Sequence, residues 1–191
     1  MKPSVDDRLN KVTDRLLDDD FLKGRGLGNE IAFYIFDYPP EDELRVRERI
    51  EYILNDINKK RPDLRVKHVN LFDLVIAYLQ KRNLLDKAIE MQSKQGDAVL
   101  LSKLAAPLQA EKLAEYFAET TEPHTLDLML VSGVGSVYPM LRAHSLLNNL
   151  HRMMGHTPLV MFFPGSYDGQ SLSLFNKLHD ENYYRAFKLV P

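Results

Sequence analysis

Residues 126–175 read LDLMLVSGVGSVYPMLRAHSLLNNLHRMMGHTPLVMFFPGSYDGQSLSLF, and this stretch decides the fold. It contains an apolar run, a glycine-containing turn, a helical segment, a second apolar run and a second glycine-containing turn. Short, continuous apolar runs bounded by turns are typical of strands buried on both faces of a parallel sheet. The stretch therefore predicts an α/β fold whose two turns follow strands, where open parallel sheets bind ligands and partners.

The elements inside this stretch can be bounded from the pattern alone. Residues 126–131 and 159–163 are predicted strands. Residues 139–154 carry apolar side chains at helical spacing, and Pro139 suits a first helical turn because no partner is needed there for its missing N–H. Residues 171–178 are predicted to form a short helix.

The same alternation appears upstream. Residues 31–36 and 64–69 read as strands, and residues 41–59 between them read as a helix. A strand, helix and strand of this length predict a parallel βαβ unit. With a closing strand over residues 185–190, the sequence predicts a mostly parallel sheet of about five strands flanked by helices on both faces.

Two helical regions complete the predicted architecture. The first covers residues 5–23, with Ser4 as its N-cap and the glycines of residues 24–28 as its stop. The second covers residues 70–122, which is far more chain than one crossover between strands requires. We therefore predict a single α/β domain over residues 1–191, with residues 70–122 as a helical insertion that serves as a cap or a partner surface.

Composition restricts the class of protein. The 191 residues carry a formal net charge of −2 and include no cysteine, which removes disulfides and thiolate metal sites. The charge argues against a dedicated nucleic-acid binder and leaves only a local basic patch for DNA. No apolar run approaches membrane-spanning length, and the first twelve residues carry acids where a signal peptide would be apolar. We expect a cytoplasmic protein that does not enter a membrane.

Familiar catalytic patterns are missing from the chain. There is no phosphate-binding G-x-x-x-x-G-K-[ST] motif and no G-x-S-x-G motif. The turn after the first strand carries Asp37, Pro39 and Pro40, followed by the acids of residues 41–43. Prolines lack the N–H donors that a phosphate needs, and the carboxylates would repel it. The sequence predicts no catalytic residue and no cofactor.

The first glycine-containing turn, residues 132–138, supports three interpretations. Gly133, Gly135 and Ser136 precede a predicted helix, and Tyr138 stands where a third glycine would complete a dinucleotide motif. The turn is a tight connection that exposes the tyrosine, a small anion or nucleotide site at a helix N-terminus, or a surface for a protein partner.

The second turn contains Pro164, Gly165, Tyr167, Asp168 and Gly169. An Asp-Gly pair favours a turn because glycine tolerates positive φ. The aspartate either caps the following segment or binds a metal. No second carboxylate stands at ligand spacing, so we predict no metal site.

Polar residues on the predicted helix and near the C-terminus complete the candidate site. Arg142 and His144 lie at the start of the helix, without the H-E-x-x-H spacing of a zinc site. Tyr183, Tyr184 and Arg185 belong to residue types enriched where proteins bind proteins. They also fit a turn that leads into an edge strand.

Five segments together resemble one family. They are F-Y-I-F-D-Y-P-P at residues 33–40, G-V-G-x-V-Y-P at 133–139, R-x-H at 142–144, F-P-G-x-Y-D-G-Q-S-L-S-L-F at 163–175 and N-Y-Y-R-A-F at 182–187. In these segments and in length the chain resembles the BrxB family of BREX phage-defence systems.

The resemblance implies a role rather than a reaction. It implies a small cytoplasmic protein encoded with a DNA methyltransferase, a large AAA+ ATPase and PglZ, and it brings no catalytic residues. The function expected from it is a non-enzymatic assembly or adaptor subunit that binds other BREX proteins, most directly PglZ. A degenerate nucleotide- or anion-binding protein is the alternative.

Overall fold

The computed structural model describes residues 3–23, 33–179 and 186–191, in which a sheet is covered by helices on both faces. Within these residues the sheet has seven strands. They are β1 (Phe33–Tyr38), β2 (Val66–Asn70), β3 (Leu128–Ser132), β4 (Leu159–Tyr167), β5 (Leu172–Leu174), β6 (Leu178–His179) and β7 (Phe187–Lys188). The predicted α/β class with a mostly parallel sheet is confirmed.

The helices form two layers, one on each face of the sheet. They are α1 (Val5–Leu16), α2 (Asp19–Leu22), α3 (Glu43–Lys60), α4 (Leu71–Lys81), α5 (Leu85–Gln95), α6 (Asp97–Leu104), α7 (Ala110–Thr121), α8 (Val134–Val137) and α9 (Ala143–Leu150). α1 and α3 pack on one face, with Val12 and Ile53 fully buried. α4, α7 and α9 cover the other face, with Phe117 and Leu147 fully buried. Each layer covers one face of the sheet, whose central strands carry buried apolar side chains on both faces.

Five strands run parallel in the order β2-β3-β4-β1-β7. β3 is buried at all five positions, which explains its continuous apolar sequence. β1 and β2 are parallel, as predicted, but β3 and β4 lie between them. The connection from β1 through α3 to β2 therefore passes over the positions of β3 and β4, which come later in the chain.

The predicted N-cap of the first helix is confirmed. Ser4 Oγ accepts the backbone N–H of Asp7 at 3.1 Å, and the Asp7 carboxylate accepts the backbone N–H of Ser4 at 3.2 Å. This reciprocal pair is a capping box. The predicted helix is divided, because α1 ends at Leu16 and the short α2 follows. The glycine stop at residues 24–28 lies outside the described residues.

Four helices, α4 to α7, occupy the region between β2 and β3. α4 begins directly after β2, where the Asn70 side chain accepts the backbone N–H of Phe72 at 2.9 Å. α4 and α7 join the main core rather than forming a core of their own, since Val75 and Phe117 are fully buried in it. The treatment of residues 70–122 as an insertion stays a prediction.

The predicted helix over residues 171–178 is wrong, because this segment forms β5 and β6. The Asp168 carboxylate accepts the backbone N–H groups of Gln170 at 2.8 Å and Ser171 at 2.7 Å. This turn reverses the chain, so that Leu172 pairs antiparallel with Tyr167 at the end of β4. Pairing with β4 satisfies the backbone groups that a helix would have satisfied internally.

The predicted helix over residues 139–154 starts later than expected. The single turn α8 precedes Pro139, and α9 begins only at Ala143. Tyr138 is extended, with φ −69° and ψ 139°. A proline ring disfavours the helical conformation in the residue before it, so α8 ends here and Pro139 separates two helices.

Candidate functional site

The end of β1 is occupied by a buried ion pair. Arg8 Nη2 lies 2.7 Å from Oδ1 of Asp37, and the two side chains are only 13% and 11% exposed. Arg8 also donates to the backbone carbonyls of Asp37 at 2.6 Å and Val190 at 2.9 Å. Oδ2 of Asp37 accepts the backbone N–H of Tyr167 at 3.0 Å and lies 3.4 Å from Lys188 Nζ. We call these five residues the Asp37 clamp; its charges are satisfied within the protein.

The first glycine-containing turn is filled by the protein's own side chains. Gly133 has φ +76°, and a Cβ at this position would lie 2.3 Å from Oδ1 of Asn70. Gly135 lies against the ring of Phe175. Ser132 Oγ lies 2.8 Å from Nε2 of His68. The glycines therefore permit close packing, and the Asn70 side chain lies directly against Gly133.

The second turn belongs to the β4–β5 hairpin. Gly165 is paired with Leu174, and a Cβ at Gly165 would lie 2.1 Å from the carbonyl oxygen of Ser173, so only glycine fits. Pro164 is buried, whereas Asp168 and Gly169 are exposed at the turn. The hydrogen bonds that Asp168 accepts from Ser171 and Gln170 lower the pKa of its carboxyl group. Asp168 thus shapes the turn.

Tyr167 does not lie on the surface, in contrast to its predicted place in a partner site. Its side chain is 1% exposed, and its hydroxyl donates to the carbonyl of Ala186 at 2.8 Å. The alternation of β4 turns Tyr167 inward, next to the exposed Ser166. Burial corrects its assignment: Tyr167 joins the hairpin to the last described segment and offers no side-chain surface to a partner.

Two of the predicted residues, Tyr138 and Arg142, line one cavity of about 240 Å³. Its walls consist of Tyr138, Arg142, Ala143, Phe163, Leu174, Lys177, Leu178 and His179. The Tyr138 ring meets the Phe175 ring edge-on, with 6.4 Å between centroids. We call this cavity the Tyr138 pocket. It combines an aromatic wall with cations from two separate segments.

The positive charges of the Tyr138 pocket are not neutralised in the part of the chain that the structure describes. Arg142 and Lys177 are exposed, and no described carboxylate lies within 4 Å of either charged group. His179 adds ring nitrogens at the same wall. A carboxylate entering the pocket would meet two cations and a histidine.

The remaining predicted residues are spread over other environments. Ser136 is exposed, beside the pocket rather than in it. His144 is 9% exposed, with Nε2 3.0 Å from the hydroxyl of Ser145. Tyr183, Tyr184 and Arg185 lie outside the described residues.

Lys177 and His179 were absent from the sequence-based site. They reach the pocket because the hairpin folds back beside β4, and the predicted helix would have placed them elsewhere. The Asp168-Gly169 dipeptide could have indicated this hairpin, because Asp-Gly between segments of alternating polarity is typical of hairpin turns. The composition of β5 and β6 alone does not identify the site.

A second cavity, of about 470 Å³, runs along β2. It is lined by Arg47, Glu51, Lys67, His68, Val69, Asn70, Asp73, Leu74, Ala77, Tyr116, Thr120, Thr121 and Ser132. We call it the β2 slot. Burial lowers the pKa of His68, while Glu51 and Asp73 act in the opposite direction. The lowered pKa favours a neutral imidazole, which can share a hydrogen bond with Ser132.

Neither a metal cluster nor a membrane-spanning helix is found in the residues that the structure describes. No group of three or more His, Cys, Asp or Glu side chains there could hold a metal ion. No helix among them has both the length and the apolar character needed to cross a bilayer.

Comparison with known proteins connects the chain to one family. The family model described as "BREX protein BrxB" matches residues 67–189. A relative of that description from Escherichia coli O9:H4 (strain HS) is 39% identical over 189 residues, which cover 99% of this chain and 93% of the relative. Another, from Bacillus cereus (strain H3081.97), is 38% identical over 190 residues, with 97% of each chain covered. No solved structure matches significantly.

Proposed function

Because the chain belongs to the BrxB family and is a BREX component, we propose that it is a non-enzymatic assembly subunit that docks other BREX proteins. PglZ is the direct partner that we expect from the family resemblance. We expect the subunit to act in the cytoplasm and to leave DNA contact to other components.

The Tyr138 pocket is the observation that carries this proposal. It is lined by Tyr138 and Arg142, two residue types that dominate the energetics of protein interfaces. Leu178 at its rim is 39% exposed, which adds apolar area next to the charges. Aromatic, apolar and cationic surfaces in one concavity suit a partner segment better than a small polar substrate.

The chemistry of the pocket defines the kind of partner segment. Arg142 and Lys177 have no described counter-ion, so an aspartate or glutamate on the partner would supply one. Arginine can bind a carboxylate through two parallel hydrogen bonds, which are stronger than neutral ones. We therefore propose that an acidic segment of the partner enters the Tyr138 pocket.

Co-purification from cells that carry the whole BREX cluster tests the proposal. We expect Arg142→Glu to lower the amount of PglZ recovered with the tagged subunit by at least about tenfold, since one hydrogen bond to a charged group contributes about 1.5–3 kcal/mol. Tyr138→Ala should also lower the recovery, because it removes the aromatic wall of the pocket. The measurement is quantitative mass spectrometry, repeated with purified PglZ.

Arg152→Glu provides the matched control. Arg152 is also an exposed arginine, just beyond the opposite end of α9 from Arg142. It should retain full recovery of PglZ. Full recovery in the Arg142 and Tyr138 variants as well would reject the Tyr138 pocket as the docking site.

A regulatory anion or nucleotide binder is the second candidate, and one observation favours it. The cations of the Tyr138 pocket would attract a phosphate as well as a carboxylate. A ligand that binds the folded state raises the melting temperature, so thermal shift with ATP, GTP, NAD and phosphate separates the two candidates. A rise that Arg142→Ala abolishes would favour this candidate; no rise with any ligand would reject it.

A further inference from the structure

β2 is an outer strand of the sheet. It pairs with β3 on one side, and no described strand pairs with it on the other. All five of its residues are half-buried, whereas all five residues of β3 are buried. An outer strand carries a row of backbone donors and acceptors that another strand can use.

The hydrogen bonds to β3 identify the backbone groups that point outward. The carbonyl of Arg65 accepts the N–H of Asp127 at 2.9 Å and that of Leu128 at 3.4 Å, so Arg65 faces β3. Both backbone groups of a strand residue point to the same side, and the side alternates along the chain. The N–H and C=O groups of Val66 and His68 therefore point away from β3, and no hydrogen bond joins them to another described residue.

The β2 slot encloses this open edge between two helical walls. α3 covers one face of the sheet and contributes Arg47 and Glu51 to the slot. α4 and α7 cover the other face and contribute Asp73 and Tyr116. β2 thus lies between helices that cover both faces of the sheet, and its outer side is open to an added strand. Five residues of strand span about 16 Å, enough for an added strand of similar length.

The charges along the slot favour basic side chains. Of the two cations, Arg47 is paired with Glu43, whose carboxylate lies 3.3 Å from Nη2, whereas Lys67 donates to the neutral carbonyl of Thr120 at 2.7 Å and keeps its positive charge. Glu51 and Asp73 are exposed on opposite walls, and no described cation lies within 4 Å of either carboxylate.

We propose that the open edge of β2 binds an extended, basic segment of another BREX protein as an additional strand. The backbone groups of Val66 and His68 form the main-chain hydrogen bonds, and neighbouring basic side chains of the segment reach Glu51 on one wall and Asp73 on the other. Main-chain pairing gives such strand addition its affinity, and the side-chain contacts give it specificity. The proposal rests on the BREX docking role and adds a surface separate from the Tyr138 pocket.

The first test locates the segment and measures the backbone. Overlapping synthetic peptides that cover the other proteins of the same BREX system are screened against the purified chain, and the strongest peptide is studied by NMR amide exchange. We expect the amides of Val66 and His68 to exchange about two- to tenfold more slowly in the complex, because the added strand accepts hydrogen bonds from both N–H groups. The amides of Lys67 and Val69, which face β3, serve as internal references.

The second test removes one outward donor. His68→Pro deletes an N–H that β3 does not use, so the existing ladder is retained. We expect it to weaken peptide binding about tenfold relative to His68→Ala, which loses the same side chain but keeps the N–H. If the proline variant fails to fold, Glu51→Lys combined with Asp73→Lys changes only exposed side chains and should also weaken binding about tenfold.

The outcomes separate this inference from the docking role. Binding of BREX proteins or their peptides without slower exchange at Val66 and His68, or without loss in the charge-reversed variant, overturns the β2 proposal and leaves the docking role standing. If neither the peptides nor the full-length BREX proteins bind the chain, both proposals fail.

Discussion

The Asp37 clamp and the Tyr138 pocket both lie near the carboxyl ends of the parallel strands. They differ in whether their charged side chains have counter-ions. In the clamp, the Asp37 carboxylate receives a guanidinium, a backbone amide and a nearby ammonium group from the protein itself. In the pocket, Arg142 and Lys177 face a cavity without a described carboxylate. A buried charge with partners inside the protein contributes to the stability of the fold, whereas an exposed charge without a described counter-ion can pair with a charged group of a partner. Sequence alone does not distinguish the two, because each is a charged residue after an apolar strand.

The largest expected effect is on the clamp. Asp37→Ala removes the partner of a buried arginine, and loss of one member of a buried ion pair costs about 3–5 kcal/mol. Urea denaturation measures the free energy of unfolding. Glu119→Ala is the control, because the Lys81–Glu119 pair is exposed and should change stability by less than about 1 kcal/mol. Equal losses in the two variants would contradict the distinction between the ion pair of the clamp and an exposed ion pair.

A smaller loss is expected at the other side of the clamp. Tyr167→Phe keeps the buried ring and removes the hydroxyl that bonds Ala186, which leaves a buried carbonyl without its partner. We expect the free energy of unfolding to fall by about 1–2 kcal/mol. PglZ recovery at a temperature where the variant is folded should not change. A selective loss of PglZ without loss of stability would return Tyr167 to the partner site.

The smallest effect on stability is expected in the pocket. Arg142→Ala and Lys177→Ala remove exposed side chains that make no described ion pair, so the unfolding free energy should change by no more than about 0.5 kcal/mol. The same denaturation experiment measures this change, and binding to PglZ should nevertheless fall in both variants. A loss of stability comparable to that of Asp37→Ala would show that the pocket cations support the fold instead.

Much of the sheet could be predicted from local sequence. Parallel strands covered on both faces favour apolar side chains at nearly every position, and residues 128–131 are all apolar. The face of α3 that packs on the sheet could also be read, since Val46, Ile50, Ile53 and Ile57 recur at helical spacing and are all buried. These features depend on each segment alone.

Strand order and the site depend on distant segments and were therefore missed. Nothing within β1 or β2 indicates that two later strands will separate them. The residues of β5 were wrongly predicted as helix. Their strand conformation depends on pairing with the end of β4, which the sequence of β5 alone does not indicate. Lys177 meets Arg142 in one cavity only after that hairpin has formed. The sequence therefore identified Tyr138 and Arg142, which follow a recognisable turn, but not Lys177 and His179 on the hairpin.

The contact between Arg8 and Val190 has a consequence for how the protein is made. The two residues are 182 positions apart, and β1 receives β7 as its neighbour only from residues 187–188. During translation, β1 leaves the ribosome long before these residues exist. Until then one side of β1 has no strand beside it, and Arg8 lacks one of its acceptors. β1 therefore completes its pairing only after residues 187–188 have been synthesised, and until then its unpaired flank is the surface that a ribosome-associated chaperone would meet.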